Sequence, residues 1–239
     1  MKLFINVGGK GTRLGSLTQD IPKPMILIND KPVLEHLIEW AKANGITEIV
    51  LLSGHLHNVI EDYFGDGSKF GVKITHSVET KPLGSGGAVK NAKKYVDGTF
   101  CLISGDVVCD IDLNKMIKSH HSSKDAIITI LVHESSHPHD SDILKIDDAH
   151  RVVKFVGKKD DHTDAGTLSN AGLFIIHPEL FYFMDEEQFT FETFLFPKLL
   201  SAGKYLNAYV TDEYFHDMGT PERLEKAKKI LQKRKNIEL

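Results

Sequence analysis

The chain has 239 residues, 41% of them hydrophobic and 26% charged, the balance of a globular protein with room for one large α/β domain or two small ones. Lysine and arginine total 29 against 33 acidic residues, a formal charge of −4, so no broad basic surface is offered to nucleic acid, and the basic stretch 226–235 reads as a solvated helix end. No run approaches the ~20 apolar residues of a spanning helix, and the apolar part of residues 1–7 is too short for a signal peptide, so no membrane partner is expected.

Residues 3–7 read as a buried strand ended by Gly8-Gly9. In 33–44, Val33, Leu34, Leu37, Ile38 and Ala41 share one helical face, and Gly45 follows as a stop. A strand at 48–53, a short helix at 58–64 stopped by Gly65, a strand at 72–76, a glycine-opened helix at 84–95 and a strand at 99–104 come next. The last contains Cys101 in an apolar run; with Cys109 as the second cysteine, a reducing, cytoplasmic setting is expected. Strand and helix alternating at this spacing imply right-handed crossovers and a parallel sheet covered on both faces. Asp110 and Asp112 read as caps of a helix at 113–121. The second half is less regular, with strands expected at 126–133, 143–146, 152–156 and 172–177 and helices at 192–202 and 221–232.

The most informative segment is Val7-Gly8-Gly9-Lys10-Gly11-Thr12-Arg13-Leu14, directly after the first strand. Its glycines let the backbone turn tightly and aim N–H groups at an anion. Arg13 adds a planar fork of donors suited to phosphate oxygens. Lys23, between Pro22 and Pro24, has its backbone restricted on both sides, which helps aim it. A Walker A loop needs a hydroxyl after Gly-Lys, and the dinucleotide fingerprint needs glycine where Leu14 stands; neither fits. Asp106 ends the run 100–106 at the carboxyl edge of its strand, as Gly8 does for the first. That edge is where open α/β sheets bind ligands, and a carboxylate beside triphosphate oxygens suits Mg²⁺.

These motifs, with Pro22-Lys23-Pro24-Met25 and Lys31-Pro32-Val33-Leu34-Glu35, resemble the signature of the sugar-phosphate nucleotidyltransferases, or NDP-sugar pyrophosphorylases, over nearly the whole chain. The family alanine before the glycines is Val7 here. The resemblance implies a nucleotide-diphospho-sugar transferase fold: a Rossmann-like, mainly parallel sheet flanked by helices, with additional strands in the sugar-binding half. It is read as one domain over 1–239, nucleotide-binding over about 1–112 and sugar-phosphate-binding over about 113–239. It implies nucleotide binding by Val7, Gly8, Gly9, Gly11, Thr12, Arg13 and Lys23, with Arg13 and Lys23 catalytic on the phosphates. Gly105-Asp106 matches the family Gly-Asp, and Asp217-Met218-Gly219-Thr220-Pro221 matches Asp-x-Gly-Thr-Pro, which implies Mg²⁺ held by Asp106 and Asp217. From physics alone Thr220-Pro221 is a helix cap with proline at the first position.

Glu79 and Gly84, in Glu79-Thr80-Lys81-Pro82-Leu83-Gly84, resemble the family's second nucleotide loop. A carboxylate only accepts hydrogen bonds. Guanine offers two adjacent donors on its Watson–Crick edge, so Glu79 favours GTP over other NTPs. Asn170-Ala171-Gly172 and Glu192 match the segments whose residues contact the sugar; by themselves they read as a turn and a helix-start carboxylate. Phe155-Val156-Gly157-Lys158-Lys159 stands where the family has Phe-x-Glu-Lys-Pro, so Lys158 aligns with the lysine of the sugar 1-phosphate, Gly157 and Lys159 depart from the pattern, and Lys159 is an alternative. His133 to Asp140 reads as a surface loop.

The pattern is most similar to the compact guanylyltransferases for heptose 1-phosphate, then mannose 1-phosphate. Other sugar 1-phosphate uridylyl- or cytidylyltransferases stay open, as does a non-catalytic nucleotide-sugar-binding subunit. A homodimer is compatible with each of these readings.

Overall fold

The computed structural model describes residues 1–9, 11–135, 137–158, 160–163 and 166–235, and their side chains apart from those of Thr12, Lys233, Arg234 and Lys235. Its contacts divide the chain into two units, each assembled from separate stretches. The glycine-loop unit comprises 3–81, 104–111 and 213–239; the second unit comprises 1–2, 82–103 and 112–212.

In the glycine-loop unit, Leu3–Asn6, Glu48–Ser53 and Lys73–Val78 form a parallel sheet, with Ile5 opposite Leu51 and Val50 opposite Thr75. Leu3, Phe4 and Ile5 are fully buried, as expected of a strand covered on both faces. The helix Val33–Ala43 buries the expected stripe of Val33, Leu34, Leu37, Ile38 and Ala41. It also buries Trp40, whose indole N–H donates to the Ile111 carbonyl at 2.9 Å. Gly45, at φ 79°, takes the left-handed conformation that ends the helix. His57–Phe64 is the short second helix, ended by Gly65.

The end of the chain returns to this unit. Phe215–Asp217 pairs antiparallel with Val107–Cys109, and the Met218 N–H extends the ladder by donating to the Asp106 carbonyl at 2.9 Å. The final helix, Pro221–Lys235, follows at once. A compact apolar cluster joins these pieces: Leu14, Ile26, Ile28, Val33, Val108, Met218, Leu224, Ala227 and Leu231, with Tyr214 packed against it.

In the second unit, Leu168–Ile176 runs antiparallel to Ala126–Glu134 and to residues 100–103, and Tyr205–Val210 lies parallel to Ala126–Glu134. Ile143–Ile146 and Val152–Val156 pair as an antiparallel hairpin. These are the additional strands of the expected α/β fold. Asp112 caps the helix Leu113–Ser122, accepting the N–H groups of Asn114 and Lys115.

Three expected elements differ. The helix at 84–95 is Gly84–Asn91, followed by a separate turn at Lys93–Tyr95, because Ala92 leaves helical geometry (φ −89°, ψ 7°). The strand expected at 172–177 is Leu168–Ile176, so Asn170-Ala171-Gly172 is a strand irregularity rather than a turn. Its register shifts between Asn170 and Phe174, and Gly172 sits at φ 78° where a side chain would be strained. The helix at 192–202 begins as a wide π-type turn, Phe191–Leu195, before Phe196–Ser201. Pro197 has no N–H to continue a regular ladder into that turn.

Met218 is fully buried in the cluster that joins the loop, the ladder and the last helix. Met218→Ala is expected to lower stability by about 2–5 kcal/mol, measured by denaturant unfolding. A loss under 1 kcal/mol would show that the cluster closes without it.

Candidate active site

The loop after Leu3–Asn6 is shaped by its glycines. Gly11 sits at φ 63°, and its carbonyl accepts the Leu14 N–H and the Thr18 hydroxyl, both at 3.0 Å, which folds the loop back on itself. Gly105 donates its N–H to the Asn6 carbonyl at 2.8 Å; a Cβ on Gly105 would stand 2.6 Å from Val7 Cγ1, so only glycine permits this approach. Lys10 and the Thr12 side chain lie outside the described residues.

A pocket of about 290 Å³ opens here, lined by Val7, Gly9, Gly11, Arg13, Lys23 and Asp106. Asn6, Ser104 and Gly219 complete its wall and were not identified from the sequence. Lys23 stands in a single turn, Lys23–Met25, entered from the extended Pro22. Its side chain is buried, and its ammonium is ion-paired with the Asp106 carboxylate. Arg13 is exposed and lies against Gly219, where a Cβ would be 3.4 Å from its guanidinium and 2.6 Å from Asp217 Oδ1.

Asp217 accepts the Gly219 N–H at 2.7 Å and the Arg223 guanidinium at 3.1 and 3.0 Å. Burial pushes the Asp217 carboxyl up, but the Gly219 N–H, Arg223 and the charge of Lys23 outweigh it and hold the pKa below the ordinary carboxylate value. Asp106 and Asp217 thus come from adjoining positions of one ladder, each with a cationic partner. Arg223 had no sequence signal: it is one of several basic residues along an amphipathic helix.

Glu79 donates its backbone N–H to the Ser53 carbonyl at 2.8 Å, and its side chain lies over Gly54 and Gly8. A Cβ on Gly54 would be 2.8 Å from Glu79 Oε1, and one on Gly8 would be 3.4 Å away. The carboxylate is therefore seated beside the glycine loop, and Gly54, overlooked in the sequence, makes its room.

The remaining expected site residues lie in the second unit. Gly84, at φ 76°, packs so closely on the Phe189 carbonyl that a Cβ would be 2.5 Å from its oxygen. Glu192 faces Asn170 Nδ2 at 3.4 Å and the Ser85 hydroxyl at 3.5 Å. Asn170 Oδ1 accepts the Gly172 N–H at 2.9 Å, which fixes its amide. Burial pushes the Glu192 carboxyl pKa up, and the negative charge of Asp142 adds to this. Lys158 is exposed, and its backbone N–H donates to Asp142 Oδ1 at 3.0 Å. The Gly157 N–H donates to Asp160 Oδ2 at 2.8 Å. Lys159 lies outside the described residues.

A glycine loop with an arginine and a lysine, beside two carboxylates, is equipped to bind and neutralise a polyphosphate. The sequence profile of the nucleotidyl transferase family matches residues 3–234. The chain belongs to this family. Among nucleotidyltransferase relatives, the D-glycero-alpha-D-manno-heptose 1-phosphate guanylyltransferase of Campylobacter jejuni is 37% identical over 229 residues, covering 93% of this chain and 96% of the relative. The mannose-1-phosphate guanylyltransferase of Mycobacterium tuberculosis is 36% identical over 90% of this chain and 60% of its own length. The crystal structure of HddC from Yersinia pseudotuberculosis complexed with GMP-PN shares 33% identity at a TM-score of 0.82, covering 96% of this chain and 99% of that one. The expected α/β fold and nucleotidyltransferase class both hold.

Gly54→Ala puts a methyl group where Glu79 Cγ and Oε1 now lie, at 2.8 Å. Displacing that carboxylate is expected to raise the nucleotide Kd roughly tenfold or more by calorimetry, the scale of one lost hydrogen-bonded charge; an unchanged Kd would show that Glu79 does not face the nucleotide.

Because the folded-state pKa of Glu192 is raised, its ionised form opposes folding at neutral pH, and that cost is relieved as pH falls through the raised value. Glu192→Gln is therefore expected to melt higher than the parent at pH 7, with the gap closing on acidification, while the KM of the acceptor substrate rises. A variant less stable at pH 7 would contradict this.

Proposed function

We propose that this nucleotidyltransferase moves the GMP group of GTP onto a heptose 1-phosphate, giving GDP-heptose and pyrophosphate. The base assignment rests on the seat of Glu79 against Gly8 and Gly54, a carboxylate that would accept the two donors of guanine. Similarity over nearly the full length of a heptose 1-phosphate guanylyltransferase supports the acceptor.

The chemistry needs no protein nucleophile. An acceptor phosphate oxygen, already anionic at neutral pH, attacks the α-phosphorus in line. A new P–O bond forms as the bond to the bridging oxygen breaks, and pyrophosphate leaves with that electron pair. Catalysis is then alignment and charge neutralisation. The backbone of Val7, Gly8, Gly9, Gly11 and Thr12, with Gly105 leaving room, cradles the triphosphate. Arg13 neutralises the departing β- and γ-phosphates. Lys23 exchanges Asp106 for the α-phosphate and the leaving group. Lys158 seats the acceptor phosphate, and Glu192, Asn170 and Gly172 hold sugar hydroxyls.

Asp106 and Asp217 are hard oxygen donors on paired strands, a set that suits Mg²⁺. When bound, the ion would supply charge neutralisation at the α-phosphate. A cytoplasmic setting is part of the same reading, supported by two buried free thiols at Cys101 and Cys109. Among the described residues no helix is long and apolar enough to cross a membrane.

The test is pyrophosphate release with each of four NTPs against heptose 1-phosphate and mannose 1-phosphate, with Mg²⁺ present. GTP with the heptose substrate is expected to give the highest kcat/KM. Equal turnover of UTP would remove the role of Glu79, a preference for mannose 1-phosphate would change the acceptor, and binding without pyrophosphate release would make the chain a sensor.

A further inference from the structure

Asp217 carries a cation before any ligand arrives. Nη1 of Arg223 lies 3.1 and 3.0 Å from its two oxygens, and Oδ1 also accepts the Gly219 N–H at 2.7 Å. Of the roughly four acceptor directions a carboxylate offers, these contacts engage most. Arg223 is held in place. Its N–H donates to Thr220 Oγ1 at 3.3 Å, the His216 ring meets its carbonyl at 3.2 Å, and its side chain is only 17% exposed.

Asp106 is engaged in the same way by the buried ammonium of Lys23. Its carbonyl accepts the N–H of Met218, so the two carboxylates come from adjoining positions of one ladder. Arg13 lies against Gly219 as a further cation. Among the described residues the cationic side chains of Arg13, Lys23 and Arg223 therefore face the carboxylates of Asp106 and Asp217. These five groups alone present a free divalent cation with an excess of positive charge, whereas a triphosphate brings ~4 negative charges and reverses the sign. Arginine suits this task because it stays charged at every physiological pH and forks onto a carboxylate.

We propose that Arg223 closes Asp217 to a free divalent cation, so that the metal enters this site only together with the triphosphate of the nucleotide. This rests on the reading of Asp106 and Asp217 as the metal's ligands.

Mn²⁺ binding to the full chain, followed by electron paramagnetic resonance with and without a non-hydrolysable GTP analogue, tests it. The wild type is expected to bind Mn²⁺ at least roughly tenfold more tightly with the analogue than without. Arg223→Gln is expected to tighten analogue-free binding by roughly tenfold, the scale of removing one charge-assisted pair. Arg223→Lys, which keeps the charge, is expected to stay close to the wild type. Analogue-free binding by Arg223→Gln no tighter than wild type would overturn the proposal. So would wild-type Mn²⁺ binding that is equally tight with and without the analogue, a result that needs no variant to fold. Asp217→Asn separates the two readings: if it binds Mn²⁺ like the wild type, the metal assignment itself fails; if it loses Mn²⁺ while Arg223→Gln gains nothing, only the role of Arg223 fails.

Discussion

The charged groups of the glycine-loop unit are held together by an apolar cluster that none of them belongs to. Leu14 follows Arg13, Ile26 comes three residues after Lys23, Val108 two after Asp106, and Met218 follows Asp217; all four hydrophobic residues are buried in one cluster. Each buried side chain contributes on the order of 1.5–3 kcal/mol when removed from water. The polar neighbours gain little by themselves, since pairing Lys23 with Asp106 or Arg223 with Asp217 must offset the desolvation of both partners. The constraint therefore runs from core to site: apolar residues next to each functional group dock, and the charges are carried along. This is also how chain segments far apart in sequence come to line one pocket, with the Lys23–Asp106 pair and the Gly105–Asn6 hydrogen bond added to an apolar contact that already joins them.

The parts legible in the sequence are those encoded locally. A strand of fully buried residues, a helix with a stripe at i, i+3 and i+4, and a loop dense in glycine each declare themselves within a dozen residues. Leu3–Asn6, Val33–Ala43, Glu48–Ser53 and the left-handed Gly11 were accordingly readable. What was not readable depends on who sits opposite. Gly54 matters only because Glu79 leans over it, and Gly219 only because Arg13 and Asp217 flank it. Arg223 is indistinguishable in composition from the lysines around it until the ladder brings Asp217 alongside. Asn170-Ala171-Gly172 has the composition of a turn, yet its neighbours on both sides pair as strand, and the irregularity is absorbed by a register shift.

Two candidate carboxylates, one in each unit, are set in opposite electrostatic states. Asp217, for all its burial, is kept ionised by an N–H group and by cations. Glu192 is buried with a like charge in Asp142, and its side-chain donors from Asn170, Ser85 and Thr190 are neutral, so its ionised form is disfavoured. A group that must meet a cation gains from the first arrangement. A group that must exchange hydrogen bonds with neutral hydroxyls gains from the second, because its partners in the free protein are weak and easily replaced. Under the proposed function, the metal ligand and the sugar contact are the same functional group placed in two different environments.

The departure at Gly157 illustrates the same point at the level of the backbone. Read locally, replacing Glu and Pro by Gly157 and Lys159 loosens the turn that carries Lys158, since glycine adds conformational freedom and proline removes it. In the folded chain this segment is tied both within itself and to Asp142. Asp160 accepts the Gly157 N–H, Asp142 accepts the Lys158 N–H, and the Asp160 N–H returns to the Gly157 carbonyl at 2.9 Å. Asp142 also accepts the Asn170 N–H through its own carbonyl at 3.0 Å, so one residue ties the turn of Lys158 to the strand of Asn170. A lysine that the local pattern leaves unsupported is thereby held at its backbone by the carboxylate of Asp142, just before the strand Ile143–Ile146, in addition to the turn that Gly157 and Asp160 close around it.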